Sequence, residues 1–365
     1  MGPTGGLYYG SYLQLDKVLS AQRMESEAAG TVAHDEMLFI IVHQAFELWF
    51  KQILHELDDV VRMMGQEYVP EAHIGTCLRR VQRVNRILSM LPDQFSILET
   101  MTPSGFMEFR DLLYPASGFQ SWQFRLFEIT LGVSEARRLH LDTHGYVSRL
   151  SPEHQQEVVR AQQQDSLFDV VERWLEKMPF MEMDGYAFWS DYRNAVLEIF
   201  RHDREELRKV TTLTPEHLER QERQIASLEA NFEALFDAGV FEGLRASGQK
   251  RMSQRATLAA LFISVYAGYP LLQTPFQLLD ALLEMDKLVS VFRFRHSTMV
   301  ARMIGQRTGT GGSSGADYLM NTVTQHRVFT DISALSSYLV NPKDIPVLPD
   351  HVQARLQFAA ESSRT

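Results

Sequence analysis

Two histidines, one arginine and two small-residue loops are the groups in this sequence whose types and spacing could do chemistry. His296 lies in an apolar run that starts near Phe276 and breaks at Gly305, with Val300 and Met303 at i+4 and i+7 on nearly the same face. An imidazole in that setting is either a hydrogen-bonded core residue or a ligand. Arg293 and Arg295 put cations beside it, and Gly309-Thr310-Gly311-Gly312-Ser313-Ser314-Gly315 follows the helix end. Such a loop exposes backbone N–H groups and lets a ligand approach closely, or it is simply a flexible connector. It lacks the Lys-Ser/Thr ending of a phosphate-binding loop and no strand precedes it, which argues against a nucleotide cradle. Further toward the N-terminus, Phe39 and His43 share a helix face at i, i+4, continued by Phe46 and Phe50. The stripe reads as core with one satisfied histidine, or as the wall of an aromatic pocket. His55 lies about 120° further around the same helix, so His43 and His55 cannot ligate one metal from this element. Phe106 and Arg110 are a second i, i+4 pair, and the planar guanidinium suits a carboxylate; Glu108 or Asp111 could equally hold it in an ordinary ion pair. Ser117-Gly118-Phe119-Gln120-Ser121 is the second small-residue loop. No HExxH, no GxSxG and no spacing of two histidines with a carboxylate is present. A planar apolar ligand or cofactor between the two histidines would use all of these groups, although composition does not name it.

The elements that must position them are helical almost throughout. The block 34–64 reads as a helix with Asp35 and Glu36 in its first turn, favourable to the dipole, and a stop at Gly65. A second helix spans roughly Gly75–Leu91 and ends at Pro92. Thr102-Pro103, Ser151-Pro152 and Thr214-Pro215 each place an N-cap before a proline at the first helical position, and Ser253 caps another helix. The first of these runs through Leu113, and residues 115–132 read as a loop entering a helix that ends at Gly132. Segments 166–177 and 184–209 are helical, His296 sits in a helix of roughly 28 residues, and 316–325 and 330–339 are short helices. The tail from Pro342 is polar and expected to be loosely held. No repeat or low-complexity linker divides the chain. The expectation is all-α: a single helical-bundle domain over 1–345, with an inserted helical hairpin at about 145–205 and a polar tail at 346–365.

The totals bound the class. With 365 residues and 45% hydrophobic content the chain can bury a large core. A net charge of −10, from 36 basic and 46 acidic residues with no basic block, argues against nucleic acid as the main partner. One cysteine, Cys77, allows neither an intramolecular disulfide nor a cysteine-based zinc site, which fits a reducing compartment. The N-terminus lacks the charged start and apolar core of a signal peptide, and no apolar run reads as a membrane span. The expected location is the cytoplasm.

Four ordered blocks carry a resemblance. YYGSYLQLDKVLSAQ, HDEMLFIIVHQAFELWFKQILHEL, FRDLLYPASGFQSWQFR and FRFRHSTMVARMIGQRTGTGGSSG together resemble the tryptophan 2,3-dioxygenase family, over about Leu7 to Pro346. The resemblance implies a cytoplasmic homotetramer with an intertwined N-terminus that uses ferrous haem b. Its reaction opens the indole ring of L-tryptophan with dioxygen to give N-formyl-L-kynurenine, the first step of tryptophan degradation by the kynurenine pathway. Residue by residue, His296 falls at the proximal iron ligand and His43 at the distal histidine that hydrogen-bonds the indole N–H. Phe39 matches the aromatic packing on the indole, Arg110 the arginine holding the substrate carboxylate, and Thr310 the threonine binding its ammonium group. Ser117 matches a small residue near the dioxygen site, and Tyr9 and Tyr12 match tyrosines that reach into a neighbouring subunit's site. Phe106 stands where some bacterial members have tyrosine, so that hydroxyl is missing; animal-type members also carry phenylalanine, and the segment at about 145–205 is closer to theirs. The alternative is a related haem enzyme that acts on a modified tryptophan or inserts one oxygen atom.

Overall fold

The computed structural model describes residues 6–133, 146–179, 188–305, 307 and 315–357. All regular structure among them is helical, as expected. The residues group into two compact units, Met1–Leu57, Val84–Gln164 and Lys287–Arg327 in one, and Asp58–Arg83, Asp165–Asp286 and Val328–Thr365 in the other. Each unit is therefore assembled from three separate stretches of chain, and no sequence boundary marks them.

The first unit begins with single-turn helices α1 (Tyr9–Tyr12), α2 (Leu15–Val18) and α3 (Glu25–Ala28). Two long helices follow, α4 (Asp35–Met64), which ends in the second unit, and α5 (Glu71–Leu98), which starts there and returns to the first. Helix α5 does not end at Pro92 as expected. Leu91, Phe95 and Leu98 are buried on its far side. Burying such side chains stabilises by about 1.5–3 kcal/mol each, which together exceeds the roughly 3 kcal/mol cost of an internal proline. Helix α6 (Pro103–Arg110) starts where Thr102 Oγ1 accepts from the Gly105 N–H at 3.0 Å, and a 3-10 turn carries it to Leu113. Helix α7 (Trp122–Leu131) is capped by Ser121 and closed by Gly132 at φ 98°, a left-handed conformation that glycine takes without a Cβ clash. Helix α8 (Pro152–Gln162) packs on α7. The core of this unit is aromatic. Phe292 centres it, with ring centroids 5.2 Å from Phe95, 5.8 Å from Phe46 and 5.8 Å from Phe124.

The second unit contains α9 (Leu167–Glu176), α10 (Phe188–Lys209), α11 (Pro215–Glu233), α12 (Ala238–Ala246) and α13 (Gln254–Val265). Its antiparallel hairpin is α10–α11, with Arg193 Nε 3.0 Å from Glu233 Oε1 and Arg208 Nε 2.8 Å from Glu222 Oε1. The hairpin expected at about 145–205 thus takes another form, because α8 packs on α7 and α9 on α13. Helix α14 (Pro270–Ile304) begins six residues earlier than Phe276 and runs 35 residues to Gly305, which has φ 60°. It is followed by α15 (Gly315–Gln325), α16 (Thr330–Ala334) and α17 (Asp350–Arg355). The expectation of a loose tail from Pro342 also needs correction. Leu348, Val352 and Leu356 are buried at i, i+4 and i+8, Leu271 donates its N–H to the Leu356 carbonyl at 3.3 Å, and Tyr266 Oη donates to the Pro346 carbonyl at 2.7 Å. Three apolar residues on one face suffice to dock a stretch that is polar on average. Helix α4 is long and apolar enough to cross a bilayer by length and composition alone, contrary to the sequence reading. Its Phe46, Phe50, Ile53 and Leu57 side chains are buried, while Met37, Ile41, Leu48 and Trp49 form an exposed apolar face.

Candidate active site

The site residues that fall in the described chain all belong to the first unit. Helices α4 and α6 approach closely at Gly105, where an added Cβ would stand 2.8 Å from Asp35 Oδ2. That contact brings Phe39 of α4 against Phe106 and Phe109 of α6, with centroids 5.6 Å apart in each case. His43 sits one turn beyond Phe39, its ring centroid 4.1 Å away. Its Nδ1 lies 2.7 Å from the Phe39 carbonyl oxygen. A carbonyl only accepts, so Nδ1 carries the proton and Nε2 is left with a lone pair. Burial lowers the His43 pKa below the ordinary imidazole value, only partly offset by the Phe39 carbonyl and the charge of Glu47. His43 is thus a neutral hydrogen-bond acceptor embedded in aromatic rings.

His296 projects from α14 within the same unit. Its ring stacks on Phe95 with centroids 5.3 Å apart and planes 6° from parallel, and Phe292 lies 6.2 Å away. Burial foremost, with smaller electrostatic contributions from His43 and Arg293, lowers its pKa to about 4, so the ring is neutral at ordinary pH. The influence of His43 puts the two imidazoles within electrostatic range of each other. Both rings are desolvated yet keep some accessible surface. His296 makes no hydrogen bond among the described residues, which leaves a neutral imidazole available as a ligand.

Arg110 closes α6. Its side chain is 16% exposed and its Nη1 is 3.5 Å from Asp111 Oδ1, whose own side chain is 92% exposed. An ion pair that long to a solvated carboxylate contributes little by itself. Ser117 is half-buried; its side-chain oxygen accepts from the Phe119 N–H at 3.4 Å, and its own N–H donates to Gln120 Oε1 at 3.2 Å. This reciprocal cap fixes the loop ahead of α7. Tyr9 and Tyr12 lie on α1 and are 70% and 67% exposed, with no ring contact or side-chain hydrogen bond among the described residues. Thr310 lies outside the described residues.

Sequence reasoning passed over two features here. Phe95 and Phe109 complete the aromatic walls and were legible only as apolar positions on their helices. Glu128, a charge inside the apolar stretch of α7, is fully buried, and its Oε2 lies 2.7 Å from Arg125 Nη1 and its Oε1 2.6 Å from Arg293 Nη2.

This donor set suits one kind of metal cofactor. Among the described residues no group of three or more His, Cys, Asp and Glu could hold a metal ion. One neutral imidazole without a hydrogen bond, set among aromatic rings, instead fits a metal whose other ligands arrive with it in a flat macrocycle, as in haem. Fold and site together define an all-helical protein that gathers a neutral imidazole with no hydrogen bond, an aromatic cluster holding a hydrogen-bond acceptor, and an arginine within one unit. The chain matches the family model described as tryptophan 2,3-dioxygenase over residues 2–339. It is 45% identical to tryptophan 2,3-dioxygenase of Xenopus laevis over 360 residues, covering 97% of this chain and 87% of that one. It is also 41% identical to the enzyme of that name from Alteromonas mediterranea, covering 96% and 97% of the two chains. The chain belongs to the tryptophan 2,3-dioxygenase family.

Proposed function

We propose that this protein is a haem-dependent tryptophan 2,3-dioxygenase that converts L-tryptophan and dioxygen to N-formyl-L-kynurenine, as the first step of tryptophan degradation by the kynurenine pathway. The observation that carries the reading is the pairing within one unit of a neutral, unpartnered His296 with a neutral His43 whose Nε2 is an acceptor. His296 would hold the iron of haem b, and ferrous haem, when bound, supplies the binding and activation of dioxygen. The chain's own residues do the positioning. Phe39 and Phe106, whose own rings are stacked 5.6 Å apart, offer an aromatic wall for a planar ring to pack against, and His43 Nε2 accepts from an indole N–H without having to remove its proton. Arg110 takes the substrate carboxylate as a two-pronged donor, Thr310 holds the ammonium group, and Ser117 fills space beside the dioxygen site. Fixing the amino acid at both ends and the ring at one edge converts an encounter into a defined approach of the C2=C3 bond.

The exposed aromatic cluster Leu7, Tyr8, Tyr9 and Tyr12 and the exposed apolar face of α4 favour an oligomer. A homotetramer in which Tyr9 and Tyr12 complete a neighbouring chain's pocket covers both, and covers the part of α4 that would otherwise face water. The location that suits this assembly is the cytoplasm.

The experiment is a product mass. Haem-loaded protein is reduced without oxygen, then given L-tryptophan and air. A gain of two oxygen atoms that disappears in His296→Ala supports the proposal, whereas a gain of one, or haem binding with no turnover, refutes it.

A further inference from the structure

The unit that carries His296 also holds a buried charge cluster that the reaction as described does not use. Arg293 precedes His296 by three residues on α14, so the two side chains leave the helix on the same side, about one turn apart. Its Nη2 donates to Glu128 Oε1 at 2.6 Å, and the guanidinium carbon lies 5.4 Å from the Phe124 ring centroid. His326 Nδ1 is 3.1 Å from both Glu128 Oε1 and Arg293 Nη1. Glu128, Arg293 and His326 are all buried. Burial alone would raise the Glu128 pKa, but the charges of Arg125 and Arg293 and the hydrogen bond with His326 hold it well below the carboxylate range. At ordinary pH the carboxylate is thus an anion, facing the guanidinium cation of Arg293. Of these two charges, Arg293 is the one carried on the same helix as His296, three residues before it.

We infer that Arg293, anchored by Glu128, is a positioning residue that both fixes the turn of α14 carrying His296 and biases the haem iron toward its ferrous state. This rests on the reading of His296 as the iron ligand. The physical argument is one of charge. Taking up one electron converts ferric haem, which carries one more positive charge, to ferrous haem. A fixed cation one helical turn from the residue that would hold the iron, in a buried setting, opposes the more positive state. The fixed anion, which touches Arg293 and sits on another helix, favours the more positive state, less strongly. Arg293 would therefore shift the equilibrium toward the ferrous form, the electron itself coming from an external reductant.

The test is a potentiometric titration of the haem-loaded protein with four variants. Arg293→Gln is expected to lower the ferric/ferrous midpoint, and Glu128→Gln to raise it by a smaller amount. Arg293→Lys and Glu128→Asp, which keep the charges while losing the geometry, are expected to stay near the unaltered protein. A merely structural role would move the Gln variants in the same direction, and would move the conservative variants with them. Shifts of one sign, or no shift, overturn the inference. Should Arg293→Gln fail to fold or load, the Glu128 pair carries the same test. The ferrous spectrum of His296→Ala is recorded alongside: if it loads haem with an unchanged spectrum, the axial-ligand reading fails, and fails separately from this one.

Discussion

Arg110 and His43 are the two side chains whose chemistry can be tested singly. The guanidinium is mostly shielded from solvent, so a tryptophan carboxylate seated against it loses its partner when the side chain is cut back. Arg110→Ala is expected to cost about 2–5 kcal/mol of substrate binding, with most of the loss in KM. Wild-type affinity in that variant, by calorimetry, would sink the role given to it. His43 gives a pH signature. Its folded pKa lies below 6.5, and the neutral form, the one with a free lone pair on Nε2, persists down to that lower value. Tryptophan affinity should therefore stay flat as pH falls to 6.5 and drop only below it. An onset above 6.5 in a binding titration would mean the acceptor is not His43, or that its ring is not held neutral. The identity of both residues as candidates was visible in sequence from their i, i+4 aromatic neighbours. That Phe39 would serve both, as the carbonyl that fixes the tautomer and the ring that meets Phe106, was not, because a periodicity says which face a side chain occupies and not what lies across from it.

At the scale of the element, α6 is the weak member. It has eight residues, too few to be stable alone, and it ends on Arg110. Its stability depends on the Thr102 cap and on the close approach of Gly105 to Asp35 at the start of α4. Thr102→Ala is expected to destabilise the fold by about 1 kcal/mol, and to raise KM for tryptophan because Arg110 is less well held. Thr102→Ser should restore both. Thermal denaturation and steady-state kinetics on the two variants would decide, and an unchanged KM in Thr102→Ala would separate α6 from substrate binding. Helix starts were the most legible part of the sequence, since a cap is a local hydrogen bond: Thr102, Ser151, Thr214 and Ser253 all cap as their spacing indicates. The continuation of α5 through Pro92 was illegible for the opposite reason. The proline's cost is local, and the burial that outweighs it comes from other helices.

For the whole molecule, the exposed α1 is the informative piece. If Tyr9 and Tyr12 complete a neighbour's pocket, then a Tyr9→Ala/Tyr12→Ala double variant and an Arg110→Ala variant each lack a different part of one shared site. Mixed and reassembled, they should recover part of the activity that each has lost, because some sites then combine an intact α1 with an intact Arg110. Activity that stays additive across mixing ratios would show that each chain builds its site alone. Acid provides a second global readout. Glu128 has a folded pKa well below its ordinary value of 4.5, so its ion pairs contribute stability that is present above 4.5 and lost as pH falls toward the folded value. Glu128→Gln should therefore be less stable near neutrality and should lose less stability on acidification, as measured by denaturant unfolding at successive pH values.

The sequence by itself determined the class of fold, most helix ends, and the faces on which His43, Arg110 and His296 sit, since each depends on interactions within a few residues. It also carried the family resemblance through four ordered blocks. The tertiary structure decided the rest. It stacked Phe95 on His296, brought His43 within electrostatic range of it, joined Glu128 to Arg293 and His326 across 165 and 198 residues, and docked a polar-looking tail by three leucine and valine side chains. Those contacts link residues far apart in the chain, and which helix faces meet is set by the packing of all of them together, which no single stretch of sequence encodes.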